Sequence, residues 1–167
     1  TPEIETALRA AADTLAAAGW EIEEVAPPPL QPSADINAQL WLAEMRQGAD
    51  KLVAQEDEPD SQHVFAVMQS LSEPVDAAGL LAALRDRVTH LREWQMFLST
   101  YSVLICPVSG ELPFDQQDDV TSADRFREIM KAQLTQVGLP ALGLPGLSVA
   151  TGSALGKPVG VKLVARR

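Results

Sequence analysis

Apolar residues recur at helical spacing through most of the chain and close up into short continuous runs towards its end. Ile4, Leu8, Ala11, Ala12 and Leu15 share one helical face, which predicts an amphipathic helix over 2–18. Pro2 suits its first turn, Glu3 and Glu5 favour the positive end of its dipole, and Gly19 ends it. Trp20, Ile22 and then Val25, set against Glu21 and Glu23, predict a short half-exposed strand near a sheet edge. Pro27 to Pro29 and Pro32 form a stiff, extended exit. A helix is expected over 34–55, with Leu42, Met45, Ala49, Leu52 and Val53 on one face. An acidic break at 56–60 contains Pro59, and a shorter helix over about 61–72 carries Val64, Met68 and Leu71. Pro74 and Asp76 open the clearest helix, with Leu80, Leu81, Leu84, Val88, Leu91 and Leu98 in period. Trp94, Phe97 and Tyr101 make a second stripe beside that one, so cover on more than one side is expected.

Val103-Leu-Ile-Cys106 is a continuous apolar run that reads as a central strand ended by Pro107. Residues 107–120 then read as a loop. Thr121-Ser-Ala-Asp124 is a helix start of the capping-box kind, and Phe126, Ile129, Met130, Leu134 and Val137 carry the helix on to Gly138. Gly138 suits the left-handed position just past a helix end, and Pro140 prevents resumption. Ala141 to Leu144 and Val159 to Val164 read as strands buried on both faces. A Pro-Gly turn, a second short apolar run and a glycine-rich turn separate them. Alternating helices and strands make the fold α/β with a largely buried sheet of about five strands.

The 167 residues fit one domain able to bury a core, and the 46% hydrophobic content is that of an ordinary soluble globular protein. The net charge of −10 argues against nucleic acid as a direct partner, because phosphate binding needs clustered Lys and Arg. No apolar run is long enough for a membrane span. The opening Thr-Pro-Glu-Ile-Glu is no signal peptide, and the missing initiator Met suggests a cut-down or processed chain. The single cysteine, Cys106, rules out an internal disulfide and fits a cytoplasmic location.

Few residues carry candidate chemistry. The Gly-Ser pair within Thr151-Gly-Ser-Ala154 reads as a turn rather than a nucleophile. Gly152 to Lys157 brushes against a phosphate loop, but only three residues separate its glycines, and Pro158 follows the lysine. His63 and His90 lie on separate predicted helices, without a Cys or Glu at ligand spacing, so no metal is expected. Cys106 ends an apolar strand without a basic neighbour and reads as a buried inert thiol. The acidic stretch from Asp115 to Asp119 lacks calcium-loop spacing and reads as a solvated loop. No cofactor is expected.

The end of the chain resembles the amidase-signature family. That family closes its core with Gly-x-Pro-Ala-x-x-x-Pro, a variable turn, then Gly-x-Pro-x-Gly-x-Gln. Gly138, Pro140, Ala141 and Pro145 match the first block, and Gly156, Pro158 and Gly160 match the second. Thr135 stands where the family often has Asn, and Lys162 where it often has Gln. The resemblance covers essentially the whole chain, weakly over 34–100 and strongly over 103–164. It implies one domain over 1–167, the C-terminal portion of a mixed sheet flanked by helices, with 34–100 helical and variable and 103–164 supplying core strands and a helix.

The resemblance further implies hydrolysis of carbon–nitrogen amide bonds in small molecules by a Ser-Ser-Lys triad. The family's lysine precedes a Gly- and Ser-rich stretch carrying both serines. None of Lys51, Lys131, Lys157 and Lys162 does so, so no catalytic residue is expected here. In the family, a strand ending in Pro at this place leads into a loop near the substrate pocket. Pro107, Val108, Leu112 and Phe114 are therefore the expected pocket residues. The expected function is one wall of an amidase pocket, inactive alone. The alternative is a non-catalytic interaction module that kept the fold, pairing through an open sheet edge or as a homo-oligomer. A transfer-RNA amidotransferase subunit shares the same signature.

Overall fold

The structure is a computed structural model and describes residues 1–166. Helix α1 spans Pro2–Ala17, with Pro2 in its first turn. Gly19, at φ 93°, turns the chain out of it. No strand forms at Trp20 to Val25: residues 20–29 run without turn, bend or ladder. The alternation is present, but a strand needs a neighbouring strand to take up its amides, and the Trp20 amide instead donates back to Leu15 O of α1 at 3.0 Å.

The helix expected over 34–55 starts earlier and is two helices, α2 (Gln31–Met45) and α3 (Ala49–Glu56). Pro32 sits in the first turn of α2 rather than in an extended exit, as a residue with no amide to satisfy can. At the break, the Arg46 guanidinium donates to the carbonyls of Gln69 (2.9 Å) and Ser72 (2.5 Å). That contact stitches the break to the end of α4 (Pro59–Gln69). α5 runs from Ala77 to Thr100, with Asp76 accepting from the Gly79 amide at its start. Trp94 and Leu98 are buried, whereas Leu81 and Val88 are 61% and 62% exposed. The long helix is therefore covered on one side, not on several.

Strand β1 is Val103–Pro107, followed by a loop and one 3-10 turn, Asp118–Val120. α6 (Ala123–Ala132) opens on Ser122, whose hydroxyl accepts from the Arg125 amide. α7 spans Leu134–Leu142 and overturns the strand expected at Ala141 to Leu144. Gly143, not Gly138, takes the left-handed position after the helix, at φ 66°. Gly138 serves close approach instead: a Cβ there would lie 2.6 Å from Leu30 Cγ, where α7 crosses the start of α2. Pro140 lies inside α7, where it removes the hydrogen bond to the Gln136 carbonyl, and the helix ends two residues later.

β2 (Gly146–Ala154) and β3 (Lys157–Ala165) form a hairpin. Leu155 and Gly156 both have positive φ, 50° and 76°, as a tight two-residue turn requires. Ser153 therefore lies on β2 opposite Pro158, not in a turn. The sheet is antiparallel with order β1-β3-β2, three strands rather than about five. β1 is an edge strand, and β3 takes the centre that was expected of it. Val159, Val161 and Val164 of β3 are buried, but β2 is exposed over nearly all its length. Trp94, Leu98, Leu139, Leu142, Leu144 and Val164 form the core cluster where α5, α7 and the sheet meet. Among the described residues no helix is long and apolar enough to cross a membrane.

Replacing Gly138 by Ala forces a methyl group against both the side chain and the carbonyl oxygen of Leu30. The expected loss in urea denaturation is about 2 kcal/mol, typical of overpacking. An unchanged midpoint would mean that α2 and α7 do not approach as described.

Candidate functional site

The loop after β1 is fastened at several points. Thr135, at the start of α7, points its hydroxyl at two carbonyls, Pro107 (2.9 Å) and Val108 (2.7 Å). The carbonyl of Thr135 in turn accepts from Lys162 Nζ of β3 at 3.1 Å. The Gly110 amide donates to Ala132 O at 2.7 Å, and the Glu111 amide donates to Ser109 Oγ at 3.3 Å. A Cβ on Gly110 would meet Ala132 O at 3.4 Å, an ordinary contact that places this part of the loop against the end of α6.

Two cations hold the rest of the loop. Arg125 of α6 reaches both Glu111 oxygens (3.1 and 3.2 Å), Asp118 (2.8 Å) and Glu128 (3.5 Å). The hydrogen bonds it donates to Asp118 and then to Glu111 push the guanidinium pKa up. Lys157 Nζ donates to Pro113 O (2.7 Å) and Asp115 Oδ1 (2.8 Å). The hydrogen bond and charge of Lys157 hold the Asp115 carboxyl below the usual carboxylate range. The acidic stretch is thus partly an anchor rather than wholly solvated. With Lys157 so engaged and a strand after it, Gly152 to Lys157 lacks the helix N-terminus that a phosphate cradle uses.

Pro107, Val108 and Leu112 are half-buried along this loop, and Phe114 is 39% exposed. These four lie together on one clamped segment, and two clefts lie elsewhere. One of about 1040 Å³ lies between α1, residues 18–25 and the start of β1. The other, about 350 Å³, is lined by Glu58, Asp60, Ser61, Val64, Gln117, Asp119 and Val120.

The remaining candidates separate. His63 is on α4 and His90 on α5. His90 does have a carboxylate neighbour at i+3, with Nδ1 3.1 Å from Glu93 Oε2. Among the described residues no three ligand-type side chains converge. Cys106 packs against the core, and burial pushes its thiol up to about 11. It does have a basic neighbour: Lys162 faces it across the β1–β3 ladder and lowers its pKa, by less than burial raises it. That cross-strand partner is 56 positions away in sequence and cannot be read locally; the one hint was a lysine inside the apolar run of β3.

Comparison with known proteins places these features. The sequence matches the family described as Amidase over residues 1–167. Indoleacetamide hydrolases of Bradyrhizobium japonicum and Bradyrhizobium diazoefficiens are each 30% identical to it. Each match covers 99% of this chain, and 36% and 32% of those proteins respectively, so the chain spans about a third of their length. Allophanate hydrolase of Kluyveromyces lactis has a TM-score of 0.74 at 22% identity, covering 99% of this chain and 26% of its own. A 6-aminohexanoate cyclic dimer hydrolase has a TM-score of 0.69 at 20% identity, over 99% and 38%. One subunit of the Thermotoga maritima glutamyl-tRNA(Gln) amidotransferase has a TM-score of 0.62 at 20% identity, over 100% and 36%. These likenesses show the fold.

Replacing Lys162 by Met removes the donor to Thr135 and the positive charge beside Cys106. Exchange of the Gly110 and Glu111 amides is expected to quicken roughly tenfold, from the loss of one charge-assisted hydrogen bond. In the wild type, alkylation of Cys106 follows a titration centred at about 11. The thiol is harder to ionise folded than unfolded, so its share of stability is intact below pH 9 and is lost as pH rises to about 11. A thiol titrating near 9 would place Cys106 outside the core.

Proposed function

The chain belongs to the Amidase family, and from that premise we propose that it forms the C-terminal portion of an enzyme hydrolysing amide bonds in small molecules. Amide hydrolysis needs an activated nucleophile, a base with a lowered pKa and donors for the oxyanion. Lys51 and Lys131 are exposed, and Lys157 and Lys162 are taken up by the loop contacts. None precedes a Gly- and Ser-rich stretch. Ser153 lies exposed on an edge strand, with Lys157 nearby but committed to Asp115. The reacting groups therefore lie outside residues 1–167, and this portion contributes sheet core and one wall of the pocket.

One observation carries the wall: the segment from Pro107 to Phe114 is a loop held rigidly by Thr135, Ala132, Arg125 and Lys157. A loop fixed by a scaffold is how binding surfaces are usually built. Phe114 offers an exposed ring, apt for an aromatic amide. The indoleacetamide hydrolase relatives make indoleacetamide the first substrate to test. The unpaired edges of β1 and β2 favour a second reading, an interaction module without catalysis. The unpaired thiol agrees with a cytoplasmic location.

The purified 167-residue chain is expected to release no ammonia from indoleacetamide. In a polypeptide that also carries the Lys- and Ser-bearing portion, Phe114→Ala is expected to raise KM roughly tenfold with a smaller change in kcat, as loss of ground-state contacts does. Hydrolysis by the chain alone, abolished by Ser153→Ala, would move the nucleophile into this chain.

A further inference from the structure

We propose that Thr135 is a positioning residue that sets which amides the pocket wall accepts, with Lys162 holding it in place. This rests on the reading of Pro107 to Phe114 as that wall. Consecutive carbonyls of an extended strand point to opposite sides. Those of Pro107 and Val108 instead meet at one hydroxyl, 2.9 and 2.7 Å from Thr135 Oγ1. The chain therefore curls around that oxygen where β1 gives way to the loop. Gly110 N donates to Ala132 O at 2.7 Å and closes the turn against the same junction of α6 and α7.

The two carbonyls belong to the peptide units on either side of Val108, the first residue past the strand. One hydroxyl thus orients both units, and with them the direction in which the Val108 side chain leaves the backbone. Val is stiff at its first torsion, so that direction decides where its methyl groups lie. A hydroxyl has one proton to donate. Two carbonyls within reach share it, and neither takes a full bond from Thr135. A small displacement of Thr135 therefore shifts the balance between them and turns the wall at Val108.

That displacement is governed from β3. Lys162 Nζ donates to the Thr135 carbonyl at 3.1 Å in a part-buried contact. Lys162, Thr135 and Val108 stand in series, and only Val108 is on the wall. A bulky acyl group must pass the wall and a small one need not. Thr135 and Lys162 then set selectivity between amides while touching neither the substrate nor the reacting groups.

The test measures hydrogen exchange on the full chain. It also measures hydrolysis of indoleacetamide and acetamide by a polypeptide that carries the Lys- and Ser-bearing portion as well. Thr135→Val keeps the shape of the side chain and removes the proton. It is expected to quicken exchange of the Gly110 amide roughly tenfold. KM for indoleacetamide should rise roughly tenfold, with smaller changes in kcat and in KM for acetamide. Thr135→Ser keeps the proton and should return each value to within about twofold of wild type. Lys162→Met should raise KM for indoleacetamide by itself and add nothing to Thr135→Val, because groups acting in series are not additive. The proposal is overturned if KM for both amides rises together, if Thr135→Ser behaves as Thr135→Val, or if the effects of Thr135→Val and Lys162→Met multiply. A lowered melting temperature with unchanged selectivity overturns it too, and leaves Thr135 a packing residue. Quickened exchange that Thr135→Ser repairs, in a polypeptide whose wild type releases no ammonia, would keep the pivot and remove the hydrolase reading. Ammonia release whose selectivity ignores Thr135 would do the reverse.

Discussion

Among the described residues β3 is the strand with a neighbour on each side, and the rest of the molecule is arranged by what it carries. Val164 is 1% exposed and joins Trp94, Leu98 and Leu142 in the core cluster, so the sheet is pinned to α5 and α7 at one place. Gly160 lets β2 come close: a Cβ there would lie 2.7 Å from Val149 O. Burying apolar side chains of this size contributes about 2 kcal/mol each, which makes this junction the main source of order for an otherwise thin sheet.

The clamped loop depends on the same strand. Lys162 projects from β3 to the Thr135 carbonyl, and Thr135 holds the loop where it leaves β1. Lys157, at the other end of β3, fixes Pro113 and Asp115. Two lysines five positions apart on one strand thus set where the loop begins and where it turns. The ion pair with Asp115 is largely exposed and contributes little by itself. Its effect is one of position, because the three-quarters-buried Arg125 ties the middle of the same loop to α6.

What could be read from the sequence was what local chemistry decides. α1, α5 and the start of α6 stand where Pro2, Asp76 and Ser122 announce them, because capping acts within one turn. The loop after Pro107 was visible for the same reason. Gly138 misled because a glycine serves left-handed backbone and close packing alike, and only Leu30, over a hundred positions away, decides between them. The fastening of the loop was invisible: Thr135, Lys157 and Lys162 carry no pattern until the sheet brings them to it. The half-buried positions of Pro107, Val108 and Leu112 likewise follow from long-range contacts.

The failure at Trp20 to Val25 has a different cause. Its alternation is that of a strand, and the structure leaves it straight but unpaired. Leu81 and Val88 on α5, and Leu147 on β2, show the same mismatch between an apolar pattern and open solvent. Single exposed apolar residues are ordinary, but a helix stripe, a strand face and an alternating segment left uncovered together are not. The alternation at 20–25 is the pattern of a strand, but pattern alone makes no ladder, and among the described residues none forms there.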